Sequence, residues 1–172
     1  YAYKIIINPS FAFGTGSHPT TKMCIKYLIK CISKDAKVLD MGTGSGILAI
    51  VAEKLGAKHI VGIDIDEIAL KEAKKNIKVN NCENIEISTA LNTKIHNSFD
   101  IIVCNILYND IISLQDTFSK VIKKEGYLIL SGLLKEQTKS VIKHYNCHFS
   151  FKNALNMKDK NFEWTALLFK KI

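Results

Sequence analysis

The sequence contains no arginine: all 24 basic residues are lysine, and with 16 acidic residues the formal net charge is +8. A basic balance can indicate nucleic-acid binding, but specific readers of phosphate and guanine favour the bidentate guanidinium of arginine. Its absence therefore weakens that interpretation. A stripe of lysines with helical spacing indicates a solvated helix face, with contact to an anionic surface as the alternative; it comprises Lys71, Lys74, Lys75 and Lys78.

Long apolar runs are also missing. No stretch approaches the roughly 18 consecutive apolar residues of a membrane span, and no secretory signal pattern is visible, so we expect a soluble, cytoplasmic protein without membrane contact. The five cysteines are odd in number and form no C-x-x-C pair, which supports neither a disulfide framework nor a metal site. The 172 residues fit a single domain of residues 1–172 without repeats.

What the chain does contain is a glycine-rich turn, VLDMGTGSG, from Val38 to Gly46. The apolar residues before it predict the end of a buried strand, and those after it predict a buried helix. A dinucleotide fingerprint, G-x-G-x-x-G, would require a third glycine where Ile47 stands. The strand, turn and helix therefore predict a nucleotide-type site that is not built for a dinucleotide.

An acid precedes these glycines. Glycines such as Gly42 and Gly44 let the backbone approach a ligand closely, whereas the Asp40 carboxylate would repel a pyrophosphate and attract a cation. S-adenosylmethionine fits this description because it has no phosphate and carries both an ammonium and a sulfonium group. We therefore expect Asp40, Gly42 and Gly44 to bind S-adenosylmethionine.

Five segments make the pattern more specific. In order and spacing they resemble the catalytic domain of the PrmA family, which belongs to the class I S-adenosylmethionine-dependent methyltransferases and methylates large-subunit ribosomal protein eleven in bacteria. The segments are AFGTGSHPTT (12–21), DMGTGSGILAI (40–50), GAKHIVGIDID (56–66), CNIL (104–107) and LSGLLKEQ (130–137). The first of them, followed about twenty residues later by the glycine turn, is a sharper signal than the turn alone.

The resemblance implies a Rossmann-like α/β fold, with a seven-stranded, mostly parallel sheet of order 3-2-1-4-5-7-6 and helices on both faces. It implies methylation of lysine or α-amino groups of a large-subunit ribosomal protein, and residues 1–17 would supply a strand and a loop covering the cofactor. The family also carries an N-terminal substrate-recognition domain, which is absent from these residues. Ribosomal RNA becomes a candidate for weak contact with the lysine stripe.

Two further cofactor residues are expected near the glycine turn. Asp64 ends the second predicted strand, Lys58 to Ile63, where an acid can accept both ribose hydroxyls of a nucleoside. Its rival, Asp66, is placed to cap the next helix. Thr21 matches a cofactor contact of the family, with helix capping as the alternative for it and for Thr20. His18, a loop histidine without a visible carboxylate or cysteine partner, is interpreted as structural, with orientation of the cofactor or the substrate as the alternative.

Asn105 is the candidate for orienting the accepting amine. It follows the predicted strand Phe99 to Cys104, where amino-methylating class I enzymes carry N-P-P-Y or a relative of it. Ile106 and Leu107 replace both prolines, which argues against adenine and glutamine methyltransferases and agrees with the N-I-L of the PrmA family. The family pattern adds a cofactor contact of Asn105. A loop asparagine that bonds its own backbone is the alternative.

The remaining elements are predicted from periodicity. Helices are expected from Pro19 to about Ile32, Glu67 to Val79, Ile111 to Ile122 with a stop at Gly126, and Leu134 to Tyr145. Strands are expected at Ile85 to Ser88, Tyr127 to Leu130, Phe149 to Met157 and Glu163 to Lys170, with Tyr1 to Asn8 as a strand or linker. Leu91 and Asn92 are candidates for bordering the adenine. Alternative functions are a methyltransferase acting on RNA or a small molecule, and, less favoured, a nicotinamide-dependent or nucleotide-binding protein.

Overall fold

A computed structural model describes residues 4–8, 16–92, 94 and 96–172. Strands and helices alternate through most of this range. In chain order they are α1 Pro19–Cys31, β1 Lys37–Met41, α2 Ile47–Lys54, β2 His59–Ile63, α3 Glu67–Val79, β3 Ile85–Ser88, β4 Phe99–Asn105, α4 Tyr108–Ser113, α5 Gln115–Val121, β5 Ile122–Leu134, a 3₁₀ turn Lys135–Gln137, α6 Thr138–Tyr145, β6 Phe149–Asp159 and β7 Phe162–Lys171.

The strands form one seven-stranded sheet of order β3-β2-β1-β4-β5-β7-β6. The pairs from β3 to β5 are parallel, whereas β7 runs antiparallel to both β5 and β6. This confirms the predicted order and the terminal hairpin. Because chain order reverses between β1 and β4, the carboxyl ends of these two strands border the crevice in which open α/β sheets bind ligands.

Two buried clusters cover opposite faces of the sheet. Neighbouring residues of β1, Val38 and Leu39, lie in different clusters because successive strand side chains point to opposite faces. The first cluster includes residues of α1 and α2, and the second includes residues of α4, α5 and α6. The helices therefore lie on both faces, as predicted.

One predicted helix differs in the structure. The apolar spacing from Ile111 to Ile122 belongs to two short helices that meet at Leu114, and the second ends at Val121 instead of near Gly126. Ile122 adopts an extended backbone and pairs with Phe99 of β4. Ile122 satisfies the helical spacing but belongs to β5, because it pairs with a strand distant in the sequence. The prediction of one continuous helix that stops at Gly126 was therefore wrong.

The beginning of the described chain is held by side chains instead of a strand ladder. Residues 4–8 form no helix or strand, although Ile6 donates its N–H to Asn80 Oδ1 (2.9 Å) and accepts from Asn80 Nδ2 at its carbonyl (2.7 Å). Asn8 N–H donates to Asn76 Oδ1 (3.1 Å), and Asn76 Nδ2 donates to the Ser45 carbonyl (2.9 Å). The segment is thus tied through α3 to the glycine turn.

Replacing Asn80 with alanine should release this segment. The side chain makes both bonds to Ile6 and a third to the Asn76 carbonyl (2.8 Å), so we expect a loss of about 1–3 kcal/mol in the free energy of unfolding. Urea denaturation measures the loss, and amide hydrogen exchange at Ile6 should accelerate. Asn153→Ala, on an exposed strand residue, is the control; equal stability losses in the two variants would contradict the prediction.

Candidate active site

The glycine turn joins β1 to α2 at the carboxyl edge of the sheet. Gly42 and Gly44 have φ values of 77° and 53°, in the left-handed region that glycine adopts without steric cost. The N–H groups of Gly42 and Thr43 both donate to the Ile63 carbonyl, at 2.8 and 2.9 Å. A Cβ on Gly42 would overlap the Ile106 side chain. The turn is therefore fixed by β2 and closely approached by the residue after Asn105.

Asp40 lies beneath this turn and is fully buried. Its Oδ2 accepts from the Thr43 hydroxyl (2.7 Å) and from the Ala49 N–H (3.1 Å), whereas Oδ1 has no hydrogen-bond partner among the described residues. Burial raises the pKa of the carboxyl to about 6; the bonds from Thr43 and Ala49 oppose the rise, and the nearby Asp64 charge adds to it. A proton or a cation would satisfy the unpaired oxygen.

The raised pKa of Asp40 predicts that the folding stability of the chain depends on pH through this carboxyl. The ordinary pKa is 3.8 and the folded pKa is about 6, so the folded chain keeps a proton that the unfolded chain has released. Folded stability should therefore fall by about 3 kcal/mol as pH rises from about 4 to 6, at 1.36 kcal/mol per unit. Urea denaturation across this range should show the fall in the wild type.

Asp40→Asn is the matched comparison because it removes the titration and preserves the shape of the side chain. The difference between the two pH profiles also removes the contributions of groups whose pKa is shifted the other way, such as Asp100. Burial opposes the shift there, but the bonds from Lys123 and the Lys37 N–H outweigh it and lower the pKa of Asp100. Parallel profiles for wild type and variant would refute the assignment of the titration to Asp40.

Asp64 is bonded directly to the glycine turn. Its Oδ2 accepts from the Gly44 N–H (2.8 Å) and its Oδ1 accepts from the Asp66 N–H (3.0 Å). Asp66 caps α3 by accepting from the Ile68 N–H (2.8 Å), as predicted. The half-buried Asp64 carboxylate is thus held against the glycine turn, whereas Asp66 caps α3.

The start of α1 brings Thr21 to the same edge. His18 is the N-cap: its Nδ1 accepts from the Thr20 N–H (3.3 Å) and lies 2.8 Å from Thr20 Oγ1. The ring also meets Trp164 edge to face, with centroids 5.0 Å apart. His18 therefore caps α1, and neither threonine provides the cap. Thr21 is buried and its hydroxyl is directed to Asn105 instead.

Asn105 ends β4, between β1 and β5 in the sheet. Its Nδ2 donates to Thr21 Oγ1 at 3.4 Å, which leaves Oδ1 as an acceptor. The structure thus brings two bonded pairs to one edge of the sheet, Asn105 with Thr21 and Asp64 with Gly44. Asp40 lies buried below them. The sequence alone assigns no role to Ser131 or Gly132, although the segment LSGLLKEQ contains both.

Other predicted features lie at the margin or outside the described residues. Leu91 packs partly against the second core cluster, and Asn92 Oδ1 accepts from the Lys94 N–H (3.0 Å) in a local turn. Residues 11–15 of the loop expected at 11–18 lie outside the described residues. A surface pocket of about 390 Å³ lies at the amino ends of the strands, around Lys37 and His59, away from this edge. No metal cluster occurs among the described residues.

The sheet order and the glycine turn at its switch point define the Rossmann-like methyltransferase fold. A structure of ribosomal protein L11 methylase from Lactobacillus delbrueckii subsp. bulgaricus shares it, with a TM-score of 0.84 and 30% identity over 96% of this chain and 83% of that one. The profile of the ribosomal protein L11 methyltransferase (PrmA) family matches residues 1–172. The chain belongs to this family.

Curated family members support the assignment. The ribosomal protein L11 methyltransferase of Clostridium perfringens is 47% identical over 137 residues, which is 79% of this chain and 44% of that protein. The one from Caldanaerobacter subterraneus subsp. tengcongensis is 40% identical over 168 residues, or 97% and 53%. The chain spans about half the length of these curated relatives. No helix in the described part of the chain is long and apolar enough to cross a membrane.

Proposed function

We propose that the chain binds S-adenosylmethionine at the carboxyl edge of the sheet and transfers its methyl group to amines of a large-subunit ribosomal protein. The observation that carries the proposal is that two polar pairs lie at this edge: Asp64 with Gly44 of the glycine turn, and Asn105 with Thr21, at 2.8 and 3.4 Å. The family assignment and the names of the relatives supply the substrate class.

The residues present fit this cofactor. Asp64 has a half-buried carboxylate whose oxygens each accept one backbone N–H, and each retains capacity for a ribose hydroxyl. Gly42 and Gly44 adopt left-handed conformations and add no side chain of their own to the turn. The unpaired Oδ1 of Asp40 beneath the turn adds negative charge that favours a cationic ligand. When bound, S-adenosylmethionine supplies an electrophilic methyl group.

The chain's own contribution to the reaction is to position and desolvate the accepting amine. A lysine amine with a reference pKa of about 10.4 requires about 4.6 kcal/mol to be deprotonated at pH 7. Burial in a water-poor pocket lowers that pKa because it disfavours the charged form. Asn105 Oδ1 then accepts a hydrogen bond from the neutral amine, and the bond of Nδ2 to Thr21 keeps the acceptor end oriented.

Titration calorimetry with S-adenosylhomocysteine and, separately, with NAD tests the class of ligand. Binding of the first and not the second is expected, because the turn lacks the third glycine of a dinucleotide site and carries an acid. Mass spectrometry of the ribosomal protein after incubation with the full-length enzyme and S-adenosylmethionine then tests the reaction. Affinity for NAD alone, or absence of added methyl groups, would overturn the corresponding part of the proposal.

The finer features of the function are part of the same proposal. Methylation of lysine and α-amino groups, a cytoplasmic location where ribosomes assemble, and a separate recognition domain follow from the family resemblance. The lysines of the stripe on α3 are exposed, and Lys75 pairs with Glu72 at 2.7 Å. Weak contact of this face with ribosomal RNA stays a prediction, which salt-dependent binding of the RNA would support.

A further inference from the structure

Strand β5 contains a bulge beside the Asn105 loop, which we define as residues 105–107. Leu130 pairs with Leu167 and Leu133 pairs with Thr165, so two residues of β5, Ser131 and Gly132, stand opposite one residue of β7. Gly132 has φ 87°, the left-handed conformation typical of a bulge glycine. Bulges next to functional sites redirect the chain at the end of a strand.

Gly132 touches the backbone of the Asn105 loop. A Cβ on Gly132 would overlap the carbonyl oxygen of Ile106 and would lie 2.9 Å from its carbonyl carbon and 3.1 Å from its nitrogen. All three atoms belong to backbone, which cannot turn aside as a flexible side chain can. The position of the Ile106 peptide therefore requires that residue 132 has no side chain.

The same peptide is confined from a second direction. The Ile106 side chain occupies the space that a Cβ on Gly42 would need. Ile106 thus lies between the glycine of the cofactor turn and the glycine of the bulge, with no side chain separating it from either. A displacement caused at residue 132 would be passed to Asn105, which precedes Ile106 directly.

Ser131 connects the bulge to the start of α1. Its hydroxyl is fully buried and lies within hydrogen-bond distance of the Thr20 carbonyl (3.3 Å) and the Thr165 carbonyl (3.4 Å). The bulge consequently contacts Ile106 and Thr20, which are the residues next to the two members of the Asn105–Thr21 pair. These close contacts explain why two adjacent small residues, Ser131 and Gly132, stand near the end of β5.

We propose that Gly132 is a positioning residue for methyl transfer: by leaving room for the Ile106 peptide, it sets the place of the Asn105 side chain that orients the amine. The effect expected on turnover when Gly132 is replaced rests on the proposed function. The effect expected on the Asn105 loop can be measured without any activity. Gly132 itself touches backbone and is not a catalytic residue.

Gly132→Ala should lower the rate of methyl transfer about 10²-fold, because a misplacement of about 1 Å in a reacting group costs about that factor. Affinity for S-adenosylhomocysteine should fall much less than turnover, as expected for a change that acts chiefly on the transition state. Turnover at saturating cofactor and calorimetric titration measure the two quantities separately.

The matched control is Gly56→Ala. Gly56 is also left-handed, with φ 104°, but the nearest atom that an added Cβ would meet is Lys34 Cα at 4.0 Å. Both variants therefore carry similar backbone strain, and only Gly132→Ala carries the clash with Ile106. A second pair, Gly132→Asn and Gly56→Asn, reduces the strain because asparagine tolerates left-handed conformations, and it keeps the test valid if the alanine variant fails to fold.

Two readouts decide the proposal. In folded Gly132 variants, the NMR signals of the Asn105 side-chain amide and the Leu107 N–H should shift, whereas the Gly56 variants should leave them in place. Unshifted signals, turnover equal to that of the matched Gly56 variant, or an equal loss of cofactor affinity would each overturn the inference. A wild-type chain that binds no S-adenosylhomocysteine would instead refute the proposed function, and the NMR comparison would still test the positioning.

Discussion

Asp64→Ala is expected to weaken binding of S-adenosylhomocysteine by at least about tenfold, and by about 10²-fold or more if two ribose bonds are lost. A hydrogen bond to a charged group contributes about 1.5–3 kcal/mol, and every 1.4 kcal/mol is about a factor of ten in affinity. The substitution also removes the acceptor of the Gly44 N–H, so the turn loses an anchor. Titration calorimetry on the folded variant measures the effect.

Asp66→Ala is the matched control for this experiment. It removes a carboxylate only two residues away that also accepts a backbone N–H, that of Ile68 at the start of α3. Loss of this cap should cost about 0.5–2 kcal/mol of stability with little change in cofactor affinity. If Asp64→Ala bound the ligand as tightly as Asp66→Ala, Asp64 would have no role in holding the ribose.

Asn105→Ala should reduce methyl transfer by about 10²-fold while cofactor affinity falls much less. An interaction made chiefly in the transition state appears in turnover and not in ground-state binding. Some loss of affinity is compatible with the hypothesis, because Asn105 is also a predicted cofactor contact and bonds Thr21 (3.4 Å). The measurement is turnover at saturating cofactor, with the dissociation constant obtained separately.

Asn109→Ala provides the comparison for this second experiment, because it makes the same chemical change on an exposed residue of α4. It should leave both turnover and affinity near the wild-type values. If the loss of affinity in Asn105→Ala accounted for the whole loss of activity, Asn105 would be a cofactor ligand and the orientation of the amine would need another residue.

Local sequence signals were sufficient for most of the architecture. The helix Glu67–Val79 and the strand Ile85–Ser88 have the bounds that periodicity predicts, and Asp66 caps the helix it precedes. The glycines at 42 and 44 adopt left-handed conformations, consistent with the tight turn that their spacing predicts. These features depend on neighbours within a few residues, which a linear pattern records.

The helix around residue 114 shows where such signals end. Phe118 and Ile122 are both fully buried and satisfy helical spacing, but burial alone does not distinguish a helix from a strand that begins at the same residue. The pairing of Ile122 with Phe99 decides the matter, and the two residues are far apart in the chain. The predicted bounds therefore failed where a long-range partner replaced the local one.

The sequence by itself determined the turn, the strand and helix order and the acids and amide available to the site, because these follow from local conformational preference and from a recognisable series of motifs. Only the tertiary structure decided which of these groups meet. It placed Asp64 on Gly44 and Asn105 beside Thr21, buried Asp40 with one oxygen unpaired, and set Gly132 against Ile106. Contacts between residues separated by tens of positions depend on strand register and side-chain packing, which a local pattern does not encode.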